Sequence, residues 1–104
     1  MNDQLKKGVV EMVILMYLRN EELYGYQIIE KLDSQLKVKE ASIYTILTRM
    51  KQKGYLDERV EMKGKKPIRY LKLSSTGEVY LDGLLEGFET IVKLIDNAKG
   101  ENNE

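Results

Sequence analysis

The sequence predicts a mainly α-helical fold with one two-stranded β-hairpin, and two observations lead to that prediction. Apolar residues recur every three to four positions in four separate segments, which is the period of an amphipathic helix. Between the third and fourth segments the pattern changes to alternation, in "YLDERVEM" and "IRYLKLS", which is the period of a strand. With 104 residues, a single domain is the natural expectation.

The first predicted helix covers residues 4–19, "QLKKGVVEMVILMYLR", and its apolar residues are not confined to one stripe. They occupy two sides, namely Val9, Met12, Val13 and Met16 on one and Val10, Ile14 and Tyr17 on the other. A helix that is apolar nearly all round must be covered on more than one side. The domain core can cover one side, and a second subunit is the obvious cover for the other.

Two further helices are predicted before the hairpin. One covers residues 25–36, where Gly25 lies on the apolar face and its missing side chain lets two helices approach closely. The other runs from about residue 40 to residue 53, and Gly54 supplies its C-terminal stop.

The hairpin is predicted from two alternating runs joined by "KGKKP", which contains Gly64 and the only proline, Pro67. The last helix can be capped by Ser74, Ser75 or Thr76. Three helices, a hairpin and a long terminal helix make the winged-helix order, whose core is shared with the helix-turn-helix proteins that read DNA. We therefore expect residues 1–74 to form a winged-helix DNA-binding domain, 75–98 a C-terminal dimerisation helix and 99–104 a flexible tail.

Composition argues against most enzyme classes. The chain has no cysteine and no histidine, which removes disulfides, the commonest general base and the usual metal ligand. No paired carboxylate spacing, glycine-rich phosphate loop or nucleophile elbow is present. We therefore expect no enzymatic activity, no metal and no cofactor. The longest apolar run is too short to span a bilayer and no signal peptide fits the start, so we expect a cytoplasmic protein.

Charge is distributed unevenly, although 17 basic residues balance 17 acidic ones. Residues 37–73 contain 11 basic and 4 acidic residues, a net charge of +7, while residues 74–104 contain 2 and 7, a net charge of −5. A basic middle with an acidic tail suggests one surface built for an anion and another kept away from it. Ordinary solvated charge remains the alternative.

The third helix has an unusual outer face, made of Ala41, Thr45, Thr48 and Gln52, where Glu and Lys would be ordinary. Small hydroxyl side chains suit a DNA major groove, because they can bond to phosphates or base edges and can touch a thymine methyl group. The alternative is that Ala41 and Ser42 only belong to the start of a helix and that Tyr44 is half-buried packing. The candidate DNA contacts are Lys39, Ser42, Tyr44, Thr45, Thr48 and Arg49 around this helix, and Lys65, Lys66 and Arg69 in the hairpin.

Three segments in order, "YGYQIIEKL", "ASIYTILTRMKQKGYL" and "RYLKLSSTG", resemble the PadR family of bacterial transcriptional regulators over about residues 5–95. The resemblance implies a winged-helix domain that dimerises through its first and last helices, usually a repressor of a palindromic operator. It assigns the reading helix to the segment with Ser42, Tyr44, Thr45 and Thr48. The sequence departs from the family at Thr45, where many members have proline, and at Leu71, where a second tyrosine is common.

The single short terminal helix resembles the compact branch of that family, in some members of which drug-like effectors bind at the dimer interface. The resemblance implies an interface formed by Val9, Val13, Met16, Leu81, Leu84, Leu85, Phe88, Ile91, Val92 and Ile95. A small aromatic or cationic effector would then lie against Met12, Met16 and Phe88, since methionines suit an adaptable pocket. Alternatively, Phe88 is plain interface core.

Two other functions remain open at this point. A winged helix can bind protein rather than DNA, and the zero net charge mildly favours that alternative. A ligand-binding dimer that has lost its DNA contact is the second. Clustered basic residues between Lys37 and Leu73 favour DNA over both.

Overall fold

Four helices and one hairpin follow each other in the predicted order, which confirms the predicted fold class. The computed structural model describes residues 2–102 of the chain. Its elements are α1 (Asp3–Asn20), α2 (Gly25–Asp33), α3 (Glu40–Gln52), β1 (Leu56–Lys63), β2 (Lys66–Leu73) and α4 (Ser75–Asn102). Within the described residues, no helix combines the length and the apolarity needed to cross a membrane.

Two helix ends differ from the prediction. Helix α2 ends at Asp33, because the amides of Gln35 and Leu36 both close onto the Leu32 carbonyl, at 2.8 and 2.6 Å, and tighten the chain into a turn. Helix α4 continues to Asn102, so placing its end at residue 98 was wrong. No proline and no left-handed glycine follows Ala98 within the described residues to stop it. Residues 103 and 104 of the predicted tail lie outside the described residues.

The core draws on every element. Its fully buried side chains come from α1, α2, α3 and the start of α4, namely Val10, Ile14, Leu15, Leu18, Ile28, Leu32, Ile43 and Leu81. Leu81 is therefore a correction: it was predicted in the dimer interface, but it has no exposed surface in the single chain. The first turns of α4 belong to the domain, and only its later turns are free of it.

Helix α3 ends just before Gly54, as the sequence predicted. Gly54 has φ +78°, and the amides of Gly54 and Tyr55 bond to the carbonyls of Lys51 and Met50, both at 3.0 Å. That pair of bonds is a Schellman motif, which only a residue tolerant of the left-handed region closes without strain. Helix α3 thus has a defined end next to the hairpin.

Ser74 fastens the start of α4 to this helix end. Its hydroxyl donates to the Gly54 carbonyl at 2.7 Å and accepts from the Gly77 amide at 3.0 Å, so Ser74 is the cap among the three predicted candidates. Gly77 leaves no room for a side chain, because a Cβ there would overlap the Tyr55 carbonyl. The "SSTG" segment therefore sets the angle at which α4 leaves the domain.

The hairpin is tied to the domain at its base and projects at its tip. Leu23 and Leu71 exchange backbone hydrogen bonds of 3.0 and 2.8 Å, which adds a short third strand segment at the base. Further out, Val60 and Met62 are 50% and 59% exposed, so the alternation that predicted β1 does not bury a face there. Pro67 belongs to β2 opposite Met62 rather than to the turn, which Gly64 makes with φ +65°.

Candidate nucleic-acid interface

The outward face of α3 has the composition that the sequence predicted. Ala41, Thr45, Thr48 and Gln52 are all exposed, and the opposite face is buried through Ile43, Ile46, Leu47 and Met50. We call these four exposed residues the reading row. Short side chains at these positions leave the helix backbone accessible to a groove of nucleic acid.

The hydroxyl protons of the reading row are already used. Thr45 donates to the Ala41 carbonyl at 3.0 Å, and Thr48 donates to the Tyr44 carbonyl at 2.9 Å. Each threonine therefore presents a methyl group and oxygen lone pairs outward. Those groups suit a thymine methyl or the amino group of adenine or cytosine, whereas a phosphate would need a donor. This arrangement favours base contacts over phosphate contacts.

Tyr44 is anchored at one side and exposed at the other. Its ring lies over Gly25, where a Cβ would approach the Tyr44 Cε1 atom to 2.8 Å, and the residue is 46% exposed. The close approach predicted at Gly25 is thus made by an aromatic ring. Packing therefore positions the ring while its rim faces solvent, and the contact of Tyr44 with DNA stays a prediction.

Arg49 and Ser42 lie on the flank of α3 that faces α1. The Arg49 guanidinium forms an ion pair with Glu11 of α1, whose side chain is only 19% exposed. That pair occupies Arg49 within the protomer, so the arrangement does not support its predicted contact with DNA. The sequence showed no sign of the pair, because Glu11 and Arg49 are distant in the chain and meet only through helix packing.

The opposite flank carries a three-residue ionic cluster. Glu58 of β1 accepts from Lys51 of α3 at 3.3 Å and from Arg69 of β2 at 3.2 Å. Partial burial opposes ionisation of this carboxylate, but the hydrogen bonds and charges of Lys51 and Arg69 outweigh it, and the pKa of Glu58 lies below its ordinary value. The cluster ties the end of the reading helix to both strands, and it engages Arg69, which was predicted to contact DNA.

Free positive charge lies at the tip of the hairpin and at the start of α3. Lys65 and Lys66 are exposed beside the turn, and Lys39 precedes the first turn of α3. None of the three has an ion-pair partner among the described residues. These lysines can release counterions on binding a phosphate backbone without first breaking an internal bond.

A second candidate surface is the apolar stripe along α1 and α4. Exposed apolar residues on these helices include Met16, Phe88, Ile91, Val92 and Ile95, which are between 39% and 52% exposed. Val9, Val13, Leu84 and Leu85 are partly buried at its edge, and Met12 packs partly against the core. Contiguous exposed apolar surface of this kind marks an interaction site. It contains nine of the ten predicted interface residues, all except Leu81.

No group of three or more Asp and Glu residues within the described residues is arranged to hold a metal ion. Four of the tyrosines pack in pairs: Tyr55 and Tyr80 stack at 4.2 Å between ring centroids, and Tyr24 meets Tyr70 edge-on at 5.6 Å. The candidate binding surfaces described so far are the reading row, the hairpin tip and the apolar stripe.

The chain is similar to known regulators in sequence and in structure. A PadR-like transcription factor from Bacteroides fragilis is 30% identical, with a TM-score of 0.79 over 90% of this chain and 93% of the other. A PadR-like transcriptional regulator from Bacillus cereus is 26% identical, with a TM-score of 0.81 over 91% and 95%. An uncharacterized protein from Lysinibacillus sphaericus is 25% identical over 86% of this chain and 87% of its own length.

The family model that matches the chain describes the PadR-like family of transcriptional regulators, over residues 14–83. That range contains α2, α3, the hairpin and the first turns of α4, which are the elements that position the reading row. Members of this family are regulators and not enzymes, in agreement with the composition. The chain belongs to the PadR-like family of transcriptional regulators.

Proposed function

We propose that the protein is a sequence-specific DNA-binding regulator in which α3 enters a major groove. The reading row carries this proposal, because four uncharged outward side chains, three of them short, in a chain that is 33% charged match a helix that must approach base edges. The hairpin acts as the wing, and Lys65 and Lys66 at its tip contact the adjacent backbone.

The active form is a homodimer built on α1 and α4. Every residue from 86 to 100 is exposed in the single chain, although this part of α4 contains Phe88, Ile91, Val92 and Ile95. A second copy is suited to cover such a stripe, because two-fold symmetry packs the same apolar surface of both subunits against each other. The two reading helices would then enter successive major grooves about 34 Å apart, which requires a palindromic operator.

Repression is the simplest regulatory consequence, since a dimer seated on an operator blocks access to the promoter. This activity places the protein in the cytoplasm with the chromosome. A small aromatic or cationic effector at Met12, Met16 and Phe88 would act by binding one spacing of the two reading helices better than another. Among the described residues of the single chain, two cavities involve α1 and α3, and neither is lined by Met12, Met16 or Phe88. An effector pocket at these residues would therefore need the second subunit.

The test compares two identical substitutions on exposed helical threonines. Thr48→Glu places a carboxylate in the reading row, and we expect binding to DNA from upstream of the gene to fall more than tenfold. Thr90→Glu is the matched control, because Thr90 also donates to the carbonyl four residues earlier, at 3.1 Å, but lies on α4. Fluorescence anisotropy with labelled DNA gives the affinities, and thermal melting checks that both variants fold.

Equal affinities for the two variants would contradict the proposal. If the wild-type protein bound no DNA while remaining a dimer, the protein-interaction alternative would be favoured instead. The basic surface between residues 37 and 73 favours DNA, because an adaptor has no need for it.

A further inference from the structure

An open groove of about 790 Å³ lies between the first half of α1 and α3, on the flank of the reading helix away from the hairpin. Its apolar floor is formed by Val10, Val38 and Ile46. Charged residues line its rim from three places in the chain: the start of α1, the end of α2 and the turn before α3.

The rim is predominantly basic. Lys6 and Lys7 come from α1, and Lys37 and Lys39 come from the turn, and none of them has an ion-pair partner among the described residues. Two carboxylates, Asp3 and Asp33, also line the groove. Arg49 reaches it too, but its charge is balanced by Glu11. Four free lysines against two carboxylates leave a net positive surface.

The groove is continuous with the reading row. Thr45 belongs to both, and Ser42 lines the groove one position away from Ala41 of the row. A duplex that seats its major groove on α3 must place one of its two bordering backbones on each flank of the helix. The wing lies on one flank, through the Lys51–Glu58–Arg69 cluster, and the groove lies on the other.

We propose that Lys6 and Lys7 bind the DNA phosphate backbone, so that the start of α1 forms a second cationic arm opposite the wing. The lysine side chains make this contact, because the Asn2 side chain already accepts the amides of Gln4 and Leu5 at the start of α1, at 2.8 and 3.4 Å. This inference rests on the proposed function. It adds a contact outside α3 and the hairpin, and it places α3 between two cationic arms in each protomer.

One other macromolecular occupant has matching chemistry, namely the acidic α4 of a second copy, which carries Glu86, Glu89 and Asp96. We favour DNA because the groove shares Thr45 with the reading row. The two occupants lead to different results when the lysines are removed. Loss of a DNA contact changes the salt dependence of DNA affinity, whereas loss of a subunit contact changes the dimer dissociation constant.

The experiment uses the full chain with Lys6→Gln and Lys7→Gln together. We expect the log–log slope of DNA affinity against salt to become less steep by about 2 to 4 per dimer, since each phosphate contact contributes about 0.9. Dimer dissociation, measured by analytical ultracentrifugation, should stay unchanged. Lys93→Gln on the far side of α4 is the control, with the wild-type slope and affinity expected.

An unchanged slope for the α1 double variant would overturn the inference. If Lys65→Gln with Lys66→Gln still flattened the slope in that case, the proposed function would stand without the second arm. A weaker dimer with an unchanged slope would assign the groove to α4 of the partner and would equally overturn it. Loss of the proposed function itself would show as no specific binding by the wild-type protein.

Discussion

The outer face of α3 and the outer half of α4 are equally accessible to solvent but opposite in chemistry. The reading row is small and polar, while α4 after Glu86 exposes Phe88, Ile91, Val92 and Ile95. Neither the reading row nor the apolar stripe of α4 has the Glu and Lys side chains expected on a solvated helix. The reading row lacks charge, whereas the stripe exposes large apolar side chains. This contrast suits the two proposed contacts, of α3 with a DNA groove and of α4 with the apolar surface of a second copy.

A second contrast separates the two kinds of basic residue. All four arginines form ion pairs with acidic residues of the same chain, through Asp82, Glu11, Glu22 and Glu58. Most lysines, including those of the wing tip and the groove, have no such partner among the described residues. Each arginine here is engaged within the domain, which suits its rigid, forked donor geometry. Lysine supplies the charge that can meet a phosphate backbone.

The largest expected effect comes from placing a charge in the apolar stripe. Ile91→Glu should convert a dimer of about twice 12.1 kDa into a monomer, because an unpaired carboxylate cannot be buried at low cost. Multi-angle light scattering measures the mass, and DNA affinity should fall by about two orders of magnitude, since the second half-site is lost. Thr90→Glu serves again as the control, and a monomeric wild-type protein would refute the dimer.

Gly25→Ala should have the next largest effect. The added methyl would meet the Tyr44 ring at 2.8 Å, so we expect a loss of about 1 to 3 kcal/mol in the free energy of unfolding. Denaturant titration measures that loss. Gly83→Ala is the control, because nothing lies near its Cβ position and alanine favours the helix. Equal stability of Gly25→Ala and the wild type would show that Tyr44 is not anchored there.

Arg49→Gln and Lys66→Gln sharpen the contrast between paired and free cations. Arg49→Gln should lower stability by about 1 kcal/mol, because Glu11 loses its partner, while the salt slope of DNA binding stays unchanged. Lys66→Gln should leave stability unchanged and reduce the slope by about 2 per dimer. If Arg49→Gln instead made the salt dependence of DNA affinity less steep, Arg49 would be a DNA contact as the sequence predicted.

The smallest expected effect concerns Glu58. Because the pKa of Glu58 is lowered in the folded state, its contribution to stability is present above its unfolded pKa and is lost as pH falls through the lower folded value. Glu58→Gln should therefore lower stability by about 0.5 to 1 kcal/mol at neutral pH and by less under acidic conditions. Thermal melts from pH 7 to pH 3 measure this, and a constant difference between the two proteins would contradict it.

Much of the candidate site was predictable because it depends on local rules. The reading row follows from the helical period of "ASIYTILTRMKQ", since Ile43 and Leu47 fix which side faces inward. The end at Gly54 follows from glycine's tolerance of positive φ. Arg49 and Leu81 could not be placed in the same way. Arg49 lies at the edge of the buried face of α3 and Leu81 at the start of the α4 stripe, and only the neighbouring elements decide whether each is covered.

The amino-acid sequence by itself determined the order of elements, the helix stop, the hairpin and the outward face of α3. Periodicity and turn chemistry act over a few residues, so no long-range contact is needed to specify them. Only the tertiary structure decided which cations are free, where α4 leaves the core, and that α1 and α3 enclose a groove. Those features arise because residues tens of positions apart are brought together by helix packing, and the packing angle is not encoded in any one segment.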